Sequence, residues 1–128
     1  MNRINVRSKG ANGEREAASW LQQQFKLEHR PERNLEQVRR GGHDLLGFSP
    51  FAFEIKRSQA IDKRNWWLQA VTSCTEEYCI PVVMWRPNNQ PWRFLISAKN
   101  IGIKTGYIQL EQREFVFWAS KLVHESSL

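Results

Sequence analysis

The stretch His43-Asp44-Leu45-Leu46-Gly47-Phe48-Ser49-Pro50-Phe51-Ala52-Phe53-Glu54-Ile55-Lys56 decides how the chain is read. His43 to Gly47 fits a short strand, Ser49-Pro50 closes a hairpin turn, and Phe51 to Lys56 alternates as a further strand. Successive strand side chains leave on opposite faces, so Phe51, Phe53 and Ile55 share one face and Ala52, Glu54 and Lys56 the other. Nine residues stand between Asp44 and Glu54. One hairpin spans that gap, which places two carboxylates and a lysine side by side on neighbouring strands.

Upstream, Arg33 to Val38 fits a first strand with Leu35 as its apolar anchor, and Arg39-Arg40-Gly41-Gly42 a charged turn. Farther back, Gly10-Ala11-Asn12-Gly13 leads into a helix of about four turns ending near Lys26. At about 100° per residue, Glu14, Ala17, Ala18, Leu21 and Phe25 fall in one sector, while Arg15, Glu16 and Gln23 point elsewhere. Glu14 therefore extends an apolar stripe, and an inward carboxylate needs a compensating partner because burying an unpaired charge is costly. Residues 1–9, through Arg7-Ser8-Lys9, read as a mobile basic arm.

Downstream, a second helix is expected from Ile61 to Tyr78, with Trp67, Ala70, Val71, Cys74 and Tyr78 on its apolar face and Trp66 partly exposed. Pro81 to Arg86 fits a buried fourth strand, residues 87–91 a turn, and Trp92 to Ile96 a fifth strand. Glu114 to Val123 is apolar enough for either strand or helix. The expectation is one α/β domain over residues 1–128, a mixed sheet flanked by helices in the order α-β-β-β-α-β-β.

Nineteen Lys and Arg against thirteen Asp and Glu leave a net charge of +6. That balance favours a polyanionic partner, because clustered cations release counterions from phosphates. No stretch is apolar and long enough to span a bilayer, and no apolar run follows the basic first residues, so neither a membrane span nor a secretory signal is expected. Cys74 and Cys79 lack nearby histidines and read as reduced, half-buried residues of a cytoplasmic protein. His29, His43 and His124 have no metal-ligand spacing. Trp67, Trp85 and Trp92 are expected in the core.

Glu14, Asp44, Glu54 and Lys56 form the constellation that carries chemistry. Carboxylate oxygens hold Mg²⁺, which prefers oxygen ligands and keeps part of its water, and the Ile55 carbonyl lies between the two side chains that flank it. A divalent ion stabilises charge on a scissile phosphate, and an adjacent lysine orients water or offsets developing negative charge. The non-catalytic alternative for Asp44 is a turn-capping carboxylate, for Glu54 and Lys56 a solvated strand face, and for Glu14 a helix-capping acid.

The pattern Asp44…Glu54-Ile55-Lys56 resembles the PD-(D/E)XK nuclease superfamily, with His43 where a proline is usual. The runs Lys9-Gly10-Ala11-Asn12-Gly13-Glu14-Arg15-Glu16, Arg39-Arg40-Gly41-Gly42-His43-Asp44 and Phe53-Glu54-Ile55-Lys56-Arg57 are similar to archaeal-type Holliday junction resolvases. Trp66-Trp67-Leu68-Gln69-Ala70 and Pro81 to Arg86 resemble small phage-encoded members of the group. The resemblance implies a restriction-endonuclease-like core, two Mg²⁺ ions with Mn²⁺ as a substitute, and a homodimer that cuts branched DNA. It places Gln69 near the scissile phosphate and assigns DNA contact to Arg7, Ser8 and Lys9. Arg39, Arg40 and Arg57 flank the acids as candidate phosphate contacts. The apolar run Phe115-Val116-Phe117-Trp118 suits a dimer interface. The expected substrate is DNA rather than a small molecule, in the cytoplasm, or in a host's cytoplasm if the chain is phage-encoded. The alternatives are a nicking, flap or repair-type nuclease of the same superfamily, or a DNA-binding module without catalysis.

Overall fold

Strand β3 (Phe51–Lys56) is the segment around which the rest packs, and it is buried on both faces from Phe51 to Ile55. A strand covered on both faces suits a parallel pairing, which needs a helical crossover. The computed structural model, which describes residues 6–35, 44–57, 60–75 and 78–126, has that crossover. Helix α2 (Lys63–Ser73) joins β3 to β4 (Ile80–Trp85), and the two strands pair in parallel from Phe51↔Ile80 to Lys56↔Trp85. Strands β5 (Arg93–Ser97) and β6 (Tyr107–Glu111) continue antiparallel, giving a mixed four-stranded sheet of order β3-β4-β5-β6. Two short strands, β1 (Glu32–Arg33) and β2 (Leu45–Leu46), form a separate antiparallel pair with Arg33 opposite Leu45.

The period of two along the strands divides the core into two layers. Phe53, Ile55, Val82, Met84, Phe94 and Ile96 meet one cluster, which includes Ala17, Ala18 and Leu21 of α1 (Val6–Phe25) and Phe115 and Ala119 of α3 (Gln112–Ser126). The intervening Val83, Trp85 and Leu95 meet Trp66, Trp67 and Ala70 of α2. The chain is thus an α/β fold with helices on both faces of the sheet.

Several expectations change. Helix α1 opens at Val6, so residues 6–9 of the expected arm are helical. The first strand is only Glu32–Arg33, and Leu35 is 69% exposed rather than an anchor. Residues 36–43 of that expected strand and turn lie outside the described residues. Helix α2 starts after Asp62, whose carboxylate accepts from the Asn65 backbone N–H at 3.4 Å and side-chain amide at 2.7 Å. It stops at Ser73 rather than Tyr78, because Cys74 leaves helical geometry and is disulfide-bonded to Cys79, 5.5 Å away between Cα atoms. The cysteines are therefore paired, not reduced. The shorter helix keeps Trp67 and Ala70 of the expected stripe inward, but Trp66 is buried with them while Val71 and Tyr78 are exposed.

Two elements follow Ser97 that the expected order lacked, β6 and α3. Glu111 and Glu114 explain why residues 114–123 are helical. The Glu114 carboxylate accepts from the Glu111 backbone N–H at 2.8 Å, the reciprocal half of a capping box. Helical spacing then sends Phe115, Trp118 and Ala119 into the core and leaves Phe117 67% exposed. The apolar run is thus mostly spent inside the molecule.

Phe115 is fully buried and stacks on Phe94, with ring centroids 3.9 Å apart and planes 1° from parallel. Phe115→Ala should cost about 3–5 kcal/mol, measured by urea unfolding. A loss no larger than that of Phe117→Ala would contradict the packing described.

Candidate active site

The acids gather at an edge of the sheet where, among the described residues, β3 has β4 on one side only. Asp44 closes the other side. Its backbone N–H donates to the Phe53 carbonyl at 2.7 Å, and its Oδ2 accepts from the Ile55 N–H at 2.6 Å. Its own carbonyl accepts from the Asn34 N–H at 2.8 Å, tying it to the β1 segment. A strand residue sends its N–H and C=O to the same side, so the Ile55 carbonyl also points toward Asp44.

Alternation along β3 turns Glu54 toward α2, where the Ser73 hydroxyl lies beside its carboxylate. Ser73 also bonds the Ala70 carbonyl at 2.9 Å, so its single proton serves one acceptor at a time. Lys56, two residues on, is half-buried and favours ionised Glu54. Glu14 comes from α1, on the opposite face of the sheet, and meets Arg33 of β1 at 3.4 Å between Oε2 and Nε. Its side chain is 12% exposed. The inward orientation read from the helical stripe is observed, and Arg33 is its partner.

Asp44 and Glu54 are both buried. Burial, and then the charge of Asp44, push Glu54 up to about 7, against the pull of Lys56 and Ser73. Glu14 adds a smaller upward push. Glu14 is itself raised by burial and then by Asp44, with Arg33 opposing. Asp44 is therefore the charge that both glutamates feel, and the three acids form one electrostatic unit.

Arg57 is positioned by α1. Its stem crosses Gly13, where a Cβ would come within 2.5 Å of Arg57 Cγ. Its Nε lies 3.4 Å from Glu16 Oε2, which also takes Arg86 Nη2 at 2.6 Å. Gln69 is exposed on α2, one helical turn before Ser73, and makes no contact with the acids among the described residues. Arg39 and Arg40 lie outside the described residues, and Arg7, Ser8 and Lys9 are placed only by backbone, in the first turns of α1. Three residues that touch the acids or their neighbours escaped the sequence reading: Arg33, Ser73 and Glu16. Ser73 was findable, since seven residues after Trp66 it shares that residue's helical face. Arg33 had no comparable signal, because its role depends on where β1 docks.

Among the described residues, no three His, Cys, Asp or Glu side chains converge into a closed metal cage. What the site offers is sparser: two buried carboxylates on adjacent backbone segments, and the Ile55 carbonyl on the Asp44 side of β3. That donor set fits Mg²⁺, which is commonly held by one or two carboxylates and completes its shell with water. No family model matches the chain, and no curated protein or solved structure matches it either.

Glu54 binds its proton more tightly in the folded chain than in the unfolded one. Stability is therefore fullest below the ordinary glutamate value of 4.5 and is lost as pH rises through about 7. Glu54→Gln removes this loss. Melting curves between about pH 5 and about pH 8 without divalent cations should show the variant gaining on wild type as pH rises. A constant difference across that range would contradict the burial and charge described for Glu54.

Proposed function

We propose that the protein is a metal-dependent, structure-selective DNA endonuclease, a Holliday junction resolvase with the restriction-endonuclease-like core of the PD-(D/E)XK type. One observation carries the reading: Asp44 is bonded directly to the backbone of the Glu54-Ile55-Lys56 strand, so two buried carboxylates and a lysine act on one another at a sheet edge. Burial and the charge of Asp44 oppose ionisation of Glu54 and Glu14, and a divalent cation would relieve both effects.

Asp44, Glu54 and the Ile55 carbonyl are the residues that would hold Mg²⁺, or Mn²⁺ in its place, with Glu14 joining through water. When bound, the ion draws charge from the scissile phosphodiester and makes water a better nucleophile. The protein's own groups do the rest. The Ile55 N–H fixes the Asp44 carboxylate, so its second oxygen is aimed without further ordering. Arg33 restrains Glu14, and Ser73 restrains Glu54. Lys56 places a positive charge beside the acids, suited to the negative charge that develops on the phosphate. Arg57, held over Gly13, contributes to an approach path for DNA, with Arg39, Arg40 and the basic first turn of α1 as further contacts. A homodimer, which matches two symmetric cuts, would use the exposed side of α3 around Val116 and Phe117. The proposed setting is the cytoplasm; no helix among the described residues is long and apolar enough to cross a membrane.

The test is cleavage of four-way junction, flap, nicked and linear DNA, side by side, with Mg²⁺. Junction cleavage should dominate and vanish with chelator. Asp44→Asn, Glu54→Gln and Lys56→Ala should each lower the rate about 10²-fold or more, with folding intact by circular dichroism. Glu14→Gln should lose most activity, with partial rescue by Mn²⁺. Full activity of Asp44→Asn would refute the site, and preference for flap or nicked DNA would refute the resolvase assignment alone.

A further inference from the structure

Helix α2 has two flanks beside its buried stripe. Ser73 borders the acids on one. On the other, about half a turn away around the helix, Arg64, Leu68 and Val71 line a cavity of about 800 Å³. Its far wall is the 3-10 turn Ala98–Ile101, the loop over residues 102–106 and the start of β6. None of the site residues named above belongs to it.

The lining has a definite chemistry. Trp67 and Tyr107 form an aromatic wall, with ring centroids 6.1 Å apart and planes at 53°. Arg64, Lys99 and Lys104 stand on the rim, each from a different element and each exposed. Among the described residues, no acid lines the cavity and none of the three cations has an ion-pair partner. Leu68 and Val71 stay 55% and 45% exposed there, an apolar surface left to solvent beside those charges.

Each feature narrows the ligand. Three cations around one opening, with no acid among the described lining residues, select an anionic group, and the planar Arg fork suits phosphate oxygens. The aromatic wall selects a flat ring, since every base offers a face for stacking. The volume is in the usual range for small-molecule sites. We propose that this cavity holds one nucleotide unit, its base against Trp67 and Tyr107 and its phosphate on Arg64, Lys99 and Lys104. The unit comes either free or as part of a single strand. The proposal requires no cleavage and so does not rest on the nuclease reading.

Binding is measured with the full chain, in chelator, by fluorescence anisotropy of an end-labelled deoxythymidine hexamer. Arg64→Ala/Lys104→Ala should weaken binding at least about tenfold and reduce the salt slope by no more than about 0.7, because both cations meet the same phosphate. Both positions are exposed, so this variant should fold. Tyr107→Leu should weaken binding with the slope unchanged, and Tyr107→Phe should restore it. Competition by deoxythymidine monophosphate that disappears in the same variants identifies the free nucleotide as a ligand. Competition by unlabelled hexamer alone identifies the strand. The proposal is overturned if wild type does not bind, if the double variant binds as wild type does, or if an oligoglutamate of equal charge competes as well as the hexamer.

Discussion

The hydrogen bond from the Ile55 N–H to the Asp44 carboxylate is the contact on which the acidic edge depends. Among the described residues β3 lies at the end of its sheet, and a sheet edge exposes backbone donors and acceptors that must be satisfied. Here one residue satisfies them in part with a side chain. Asp44 takes the Ile55 donor on its carboxylate and gives its own N–H to Phe53. The edge is closed locally, and a carboxylate is left fixed in the opening. Glu54 and Lys56 are aimed by the same strand, so their positions relative to Asp44 follow from the strand's pleat.

That arrangement costs stability, because buried acids of like charge disfavour one another's ionisation. The surrounding residues offset it only in part. Arg33 faces Glu14, Lys56 and Ser73 favour ionised Glu54, and Glu54 still stays raised to about 7. A fold selected only for stability would place an apolar residue at position 54, since its neighbours Phe53 and Ile55 are buried as well. The cluster is thus only partly relieved by the neighbours described. Glu16 shows the contrasting case a short distance along α1. It meets Arg57 and Arg86 together, and its role is to hold α1 against the strand ends.

Helix α2 links the two halves of the sheet's second face. Its inward tryptophans cover Val83, Trp85 and Leu95, and its two flanks border different openings. The Cys74–Cys79 disulfide ends the helix directly after Ser73. The residue beside Glu54 therefore sits at the point where helix, disulfide loop and β4 are joined.

Local periodicity was enough to read much of this from sequence. The alternation of Phe51 to Lys56 determined a strand with Glu54 and Lys56 on one face, and the stripe from Glu14 to Phe25 determined an inward glutamate on a helix. These are short-range facts, set by the geometry of one element. Periodicity left residues 114–123 open because their apolar content suits either element; the Glu111–Glu114 cap decides for helix. It misjudged α2, since the face a helix buries depends on where the helix ends and what it meets. Trp66 is inward because Trp85 lies opposite, with ring centroids 5.5 Å apart. Arg33 against Glu14, Ser73 beside Glu54 and the cations around Trp67 and Tyr107 join residues from separate elements. The sequence by itself determined which side chains share a face of a strand or helix, because backbone geometry repeats every few residues. Only the tertiary structure decided which faces meet, because that depends on how the layers pack and on the long-range contacts that dock one element against another.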